Sequence, residues 1–474
     1  MKLPEQSIVV VSALFLSACL VGPDYERPAI ELPPTYIGTQ AEAESLADMQ
    51  WWELFEDPQL QALVVVAIEQ NRDLRSAIAR VDEVRARYGV VRADQFPTVD
   101  GSATGSRGNE LEPFLPGAGI NENYFLGISA AYEVDLWGRY RRATESARAE
   151  LLGSVENQRT ILITLISDVA STYLLLRDLD ARVEIAKDTA RARKDSTNII
   201  QARFDFGTVP LLDVNQAQIE EADALARLAS LRRQTIEAEN LLSVLIGSNP
   251  RSIIRGRNIE QQVFPIKVPA GLPSTLLERR PDVRAAEQRL AAQTARIGVA
   301  KSLRYPSVTL TGTLGGVSND LSDLIDGGSK LWGVGIDILG PIFDAGKRRS
   351  QVEEEIARTE QALNAYEQTI LLAMREVQDA LTGIRYFREE LDAREFQLEA
   401  AQSASGLSRA RYDGGVTDYL EVLDSERSLF NARLAASEIR RQELVSIVSL
   451  YKALGGGWLP LESEQPEQPL EETE

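Results

Sequence analysis

The sequence predicts a mainly α-helical chain with a small β part, laid out as two tandem structural repeats. Three observations predict this. Four sequence anchors recur in the same order at a nearly constant offset. Two proline-free stretches of about 65 residues carry heptad spacing. Four short segments alternate large apolar residues with small or polar ones.

The anchors establish the duplication. Asn71-Arg72-Asp73-Leu74-Arg75-Ser76-Ala77 matches Arg280-Pro281-Asp282-Val283-Arg284-Ala285-Ala286 in its Asp, Arg and Ala. Phe96-Pro97-Thr98-Val99 matches Tyr305-Pro306-Ser307-Val308. Val134-Asp135 with Gly138 to Arg142 resembles Phe343-Asp344 with Gly346 to Arg349. Arg203-Phe204-Asp205-Phe206-Gly207 matches Arg411-Tyr412-Asp413-Gly414-Gly415. The offset is 209 at Asp73/Asp282, Pro97/Pro306 and Asp135/Asp344, and 208 at Gly138/Gly346, Arg203/Arg411 and Gly207/Gly415. A register held to one residue over that span marks a tandem repeat. The repeats span 59–249 and 273–454, joined by a segment at 250–272.

Each repeat reads helix, strand, strand, long helix, turn, return helix. The first helices, 59–94 and 274–304, stop before Phe96-Pro97 and Tyr305-Pro306, because proline disfavours helix in the residue before it. Strands follow at 97–107 and 123–135, and at 307–316 and 331–342, with loops at 108–122 and 316–330 between them. The long helices span 139–203 and 346–411. In the first, Leu165, Val169, Thr172, Leu176, Leu179, Val183, Ala186 and Ala190 step by four and three. The second repeats this from Leu363 through Tyr366, Ile370, Ala373 and Val377 to Leu391. Gly207 and Gly415 supply the turns into return helices at 210–247 and 418–454. A long helix extends about 100 Å and a return helix about 55 Å. A return helix and a first helix stacked end to end match the long one, which predicts a tall helical barrel. The joining segment and Trp51, Trp52 and Phe55 would pack at mid-height.

The strands need company. Tyr124, Leu126, Ile128, Ala130, Tyr132 and Val134 alternate with smaller or more polar residues, as do Trp332, Val334, Ile336 and Ile338. Val308, Leu310, Gly312 and Leu314 alternate with Thr309, Thr311, Thr313 and Gly315. One greasy face and one polar face over about ten residues suits a membrane barrel wall. Four strands cannot close a barrel, and open edges in lipid cost several kcal/mol per unsatisfied group. The chain must therefore oligomerise if these strands span a membrane; a trimer gives twelve. Tyr124, Tyr132, Trp137 and Trp332 are candidates for headgroup-level anchors.

Composition narrows the function. A net charge of −20 argues against a nucleic-acid partner. The chain has no histidine and one cysteine, which excludes a Ser-His-Asp triad, a Cys-His pair, a disulfide and a zinc site. No Asp or Glu stands apart from the helical surface pattern, so no enzyme activity is expected. At the N-terminus, Lys2 precedes an apolar run from Ile8 to Leu16, too short to span a bilayer, then Ser17-Ala18-Cys19. This resembles the lipobox of bacterial lipoproteins, with residues 1–18 cleaved and Cys19 acylated. Leu20, where Asp would retain a lipoprotein in the inner membrane, favours the outer one. The segment 19–58 reads as an extended lipidated arm, and the acidic tail 455–474 as disordered. No cofactor beyond lipid on Cys19 is expected.

The chain resembles the TolC-like outer-membrane factors of tripartite efflux systems, in their NodT/OprM-type lipoprotein branch. The matching residues are Cys19-Leu20-Val21-Gly22-Pro23-Asp24-Tyr25-Glu26-Arg27-Pro28, Trp51-Trp52 with Phe55, Asp57, Pro58 and Leu60, Arg279-Arg280-Pro281-Asp282-Val283-Arg284-Ala285-Ala286-Glu287, and Arg411-Tyr412-Asp413-Gly414-Gly415-Val416 to Leu423-Asp424. The resemblance implies a homotrimer with a twelve-stranded barrel in the bacterial outer membrane and a helical tunnel through the periplasm. It implies a periplasmic adaptor and an inner-membrane transporter of RND type as partners, the transporter supplying the energy. It makes Arg203, Gly207, Arg411 and Gly415 adaptor-contact candidates at the hairpin tips. It also makes Leu420 and Asp424, four residues apart on one helix face, an apolar and an acidic ring of a periplasmic gate. The first repeat carries Leu212 and Gln216 there, so an acidic ring comes from the second hairpin alone. The alternative is a periplasmic adaptor-type coiled-coil lipoprotein, but adaptors carry one hairpin flanked by many strands. Nothing in the sequence names the transported substrate.

Overall fold

The computed structural model describes residues 20–37, 54–109, 120–262, 273–324 and 329–456. Cys19, Trp51, Trp52 and most of the acidic tail lie outside the described residues. The elements run α1 (Pro58–Gln70), α2 (Arg72–Ala93), β1 (Thr98–Asn109), β2 (Ile120–Val134), α3 (Arg139–Asp205), α4 (Leu211–Leu245), α5 (Leu276–Arg279), α6 (Pro281–Ser302), β3 (Ser307–Ser318), β4 (Lys330–Leu339), α7 (Lys347–Asp413) and α8 (Tyr419–Ala453). The long helices α3 and α7 have 67 residues each, and the return helices α4 and α8 have 35 each.

The first helix of each repeat differs from expectation. It is two helices, not one. The break falls at Asn71 in the first repeat, where ψ swings to 133°. In the second it falls at Arg280, before Pro281. Both breaks have the same cause. The Asn71 amide donates to the Leu245 carbonyl at 2.9 Å, at the end of α4, while its Oδ1 accepts the Leu74 N–H at 2.9 Å. Arg280 donates to the Ala453 carbonyl at 2.9 Å, at the end of α8. One polar side chain thus satisfies the end of the return helix and marks the start of the next. An asparagine placed to cap and a proline at the first helical position are the signals that mark both breaks.

Chain contacts divide the protein into two compact units that do not follow the repeats. One comprises Met1–Ala29, Arg80–Val155 and Ala285–Glu367; the other comprises Ile30–Ala79, Glu156–Arg284 and Gln368–Glu474. Each unit takes material from both repeats.

The first unit contains the sheet, in the order β1-β2-β3-β4, antiparallel throughout. Its register pairs Leu126 with Ala103, Ile128 with Leu314, Tyr132 with Leu310, Leu314 with Trp332 and Leu310 with Ile336. Paired residues share a face, so these large apolar groups line one side of the sheet. That face is uncovered: Trp332 is 74% exposed and Val334 83%. Beside the sheet, α6 packs a small-residue face of Ala285, Ala292, Ala295 and Gly298. The N-terminal segment crosses it at Gly22, whose missing Cβ would fall 2.5 Å from the Gly298 Cα. Arg27 clasps Glu287 at 2.6 and 2.8 Å, and Arg142 holds Asp24 at 2.6 Å.

The one-residue change of offset between repeats falls at the strand-to-helix junction. Three residues separate Asp135 from Arg139 in the first repeat and two separate Asp344 from Lys347 in the second. The shorter turn puts Ala345 at φ 53°, the one non-glycine residue with positive φ among the described residues.

In the second unit, Asp57 organises the start of α1 and the segment before Gln262. Its carboxylate accepts from the Gln59 N–H, the Tyr173 hydroxyl, the Arg257 N–H and the Gln262 amide, each at 2.9 Å. Phe55 and Leu54 are buried beside it.

Candidate functional site at the helix-hairpin tips

Each long helix ends in a tight turn built twice over. Gly207 and Gly415 both sit at φ 71°, in the left-handed region that favours glycine. The Thr208 N–H reaches back to the Arg203 carbonyl at 2.9 Å, and the Val416 N–H to the Arg411 carbonyl at 2.9 Å. This six-to-one bond and the inner bonds from Gly207 to Phe204 and Gly415 to Tyr412 close the helix C-termini. The arginines at the motif starts also complement the negative end of the helix dipole.

Their side chains do different work. Arg203 lies over the Tyr412 ring at 5.0 Å and 3.4 Å from the Asp413 carboxylate, so it links the tip of α3 to that of α7. Arg411 stays within its own hairpin, 3.3 Å from Glu421, which also accepts from the Thr417 hydroxyl. Beneath the turns, Ile200, Val214, Ala217, Tyr419, Val422 and Leu423 form one apolar cluster, with Phe204, Val209 and Tyr412 packed against it. Burial, aided by the nearby Glu426 carboxylate, pushes the Tyr419 hydroxyl up to about 12, so it stays neutral.

Leu420 and Asp424 lie off this cluster. Val422 and Leu423 turn inward, while Leu420 is 61% exposed and Asp424 is also exposed. The two share an open helix face, with Leu212 exposed on the equivalent helix of the first repeat.

Above the tips lies a polar layer that the sequence reading did not single out. Arg193 is 3% exposed and pairs with Glu220 at 3.0 Å, and also donates to the Glu220 backbone carbonyl at 2.7 Å. Arg427 of α8 reaches the same Glu220 carboxylate at 3.1 Å through its Nε. Arg409 of α7 donates to Ser196 of α3 at 2.9 Å and to Glu426 at 3.2 Å. Ser408 and Ser425 meet at 2.5 Å. Burial pushes the Glu426 carboxyl up, against the pull of Arg409 and Arg193. The hairpins α3/α4 and α7/α8 are thus stitched together by charged groups rather than by apolar packing alone. The signal was present: extending the heptad three residues beyond Ala190 lands on Arg193, a charge on a buried seam.

The pattern that defines the outer membrane efflux protein family matches residues 63–248 and 272–456, one match per repeat. The solvent efflux pump outer membrane protein SrpC of Pseudomonas putida is 36% identical over 463 residues, covering 96% of this chain and 98% of SrpC. The cation efflux system protein CusC of Escherichia coli O157:H7 is 33% identical over 450 residues, covering 94% of this chain and 97% of CusC. The open state of the MtrE outer membrane channel of Neisseria gonorrhoeae superposes with a TM-score of 0.84 at 32% identity, covering 93% of this chain and 98% of that one. SrpC is named as the outer membrane protein of an efflux pump and MtrE as an outer membrane channel, which disfavours the adaptor alternative. The chain belongs to the outer membrane efflux protein family, TolC-like in fold, and is an outer-membrane efflux channel.

Proposed function

We propose that three copies of the chain close into one passive exit duct, fed through a periplasmic adaptor by an inner-membrane transporter of RND type. The observation that carries this is the open sheet: among the described residues β1 and β4 have no partner on their outer edges, and the apolar face is bare. Unpaired edges in hydrocarbon are too costly to persist, and three four-stranded sheets supply a twelve-stranded closed wall. The chain binds no substrate of its own in this reading. Its relatives are named for solvents and for cations at similar identity, so cargo is set by the transporter.

In the same reading Cys19 carries the lipid. The Val21 N–H donates to the Trp137 carbonyl at 3.2 Å, and Leu20 lies against Gly138, at the foot of the sheet. An acyl chain on the preceding residue would start where the strands leave the membrane. Arg203, Gly207, Arg411 and Gly415 meet the adaptor. Leu420 narrows the duct, and three Asp424 carboxylates around an axis form a cation-favouring ring that repels itself.

The test is the unheated gel band and single-channel conductance of the purified mature protein. A heat-sensitive trimer that conducts in planar bilayers is expected, with larger conductance for Asp424→Ala. A monomer without conductance overturns the duct, and an Asp424→Ala trimer conducting like the parent overturns the gate. Radiolabelled palmitate is expected to label the parent and not Cys19→Ser, and a parent that takes up no label removes the lipid anchor.

A further inference from the structure

The two hairpins of one chain meet along a seam that runs to their tips. On the α3 side it carries buried polar residues with partners on the other hairpin. Asp178 is fully buried; it accepts from the Ser437 hydroxyl of α8 at 2.5 Å and lies 3.4 Å from the Arg441 guanidinium. Arg182, one turn on, lies 3.7 Å from Glu438. Arg193 lies over the Phe430 ring at 5.2 Å, and its ion-pair partner Glu220 is also held by Arg427 of α8. Ser196 accepts from Arg409 of α7 at 2.9 Å. The apolar cluster around Ile200, Val422 and Leu423 comes next, and Arg203 ends the row on Tyr412 and Asp413. From Asp178 to Arg203 the seam covers about 38 Å of helix.

This succession of charged and apolar groups makes the seam costly to shift. All of its residues lie within one compact unit. A small slide of one hairpin along the other would part the ion pairs while the surrounding helices still keep water out. A buried charge without its partner is the costly state. A wider separation would hydrate the charges, but it would also uncover Ile200, Val422 and Leu423, each no more than 4% exposed. These contacts are complete within one chain and owe nothing to a neighbouring copy.

We propose that the two hairpins of a chain move as one block, so that the periplasmic end of the duct widens by shifting whole copies apart. Asp178 and Glu220 hold the block together, one at each end of the charged stretch. Leu420 and Asp424 belong to α8, yet they travel with the tip of α3 and α4. Opening then has one place left to occur, the borders between copies. This rests on the trimeric duct above and names where its gate yields.

Spin-label distances in the full-length protein in detergent test this. Asn198→Cys in α3 and Ser428→Cys in α8 put one label on each hairpin, both at exposed positions of the single chain. Co-expression with an excess of unlabelled copies isolates the distance within a chain. Ser428→Cys alone, undiluted, gives the distance between copies, and the parent without added cysteines shows any label on Cys19. A narrow distribution within the chain and a broader one between copies are expected. In Asp424→Ala the distance between copies is expected to lengthen while the one within the chain holds; lengthening within the chain instead overturns the proposal. The Asp178→Asn, Glu220→Gln double variant is expected to lose the narrow peak within the chain. If it fails to fold, each substitution carries the test singly. A distribution within the chain as broad as that between copies also overturns the block, and an unchanged narrow peak in the folded variants removes Asp178 and Glu220 as its cause. A protein that gives no distance between copies removes the duct reading beneath, whereas the peak within the chain decides the seam by itself.

Discussion

Asp57 shows how one residue can secure a whole segment. It is 1% exposed, and burial by itself works against its ionisation. Hydrogen bonds from Gln262, Tyr173, Gln59 and Arg257 outweigh that and hold its carboxyl below the ordinary value of 3.8. A carboxyl depressed in the folded state contributes stability above its unfolded pKa and loses it as pH falls through the folded one. Asp57→Ala is expected to cost roughly 2–4 kcal/mol, since it strands several buried donors. Asp57→Asn is expected to flatten the acid limb of the stability curve below about pH 4, where the parent loses stability. Thermal unfolding across pH measures both. Glu220 makes the complementary case. Removing it leaves the buried Arg193 with only the exposed Asp223 carboxylate, 3.5 Å away, so Glu220→Ala is expected to cost about 2–3 kcal/mol, below the figure for a buried charge with no partner. Faster proteolysis of the paired hairpins is the readout; a variant as resistant as the parent would mean Arg193 finds another partner.

At the scale of elements, the tips are governed by backbone conformation. An added Cβ at Gly207 or Gly415 meets nothing within 4 Å, so its cost is conformational alone. Gly207→Val and Gly415→Val are each expected to destabilise the turn by about 1–2 kcal/mol. Gly414→Ala is expected to be nearly silent, because Gly414 is not among the residues with positive φ and its nearest neighbour would lie at 3.4 Å. Hydrogen exchange at Thr208 and Val416 reports the turns directly, and equal protection in all three variants would sink the argument. The helix breaks at Asn71 and Arg280 belong to this scale too. Each lets a return helix end against the first helix of its own repeat without leaving its last carbonyl unsatisfied.

For the whole molecule, the two faces of the sheet should respond oppositely to charge. Ile336 stands on the bare apolar face opposite Leu310. Ile336→Arg is expected to cost about 2–4 kcal/mol in lipid and to abolish the heat-sensitive oligomer. Asp337 points the other way, and Asp337→Asn is expected to assemble normally while changing ion selectivity in planar bilayers. Equal loss of assembly in both variants would contradict a two-faced wall. The polar stitching of the hairpins matters here as well. Arg427–Glu220 and Arg409–Ser196 join the two repeats of one chain, so their tips move as a pair unless these contacts break.

The sequence by itself determined the duplication, the helix and strand order and the apolar face of the sheet. Those features are periodic, and a period survives in one dimension. Tertiary structure decided the rest. The breaks at Asn71 and Arg280 depend on a carbonyl at the far end of another helix, about 170 residues away. The pairing of Arg193, Glu220 and Arg427 joins three helices, and only the seam position of Arg193 foretold it. The shorter turn after β4 is visible in the offset, but only the folded backbone shows that it forces Ala345 to a positive φ of 53°.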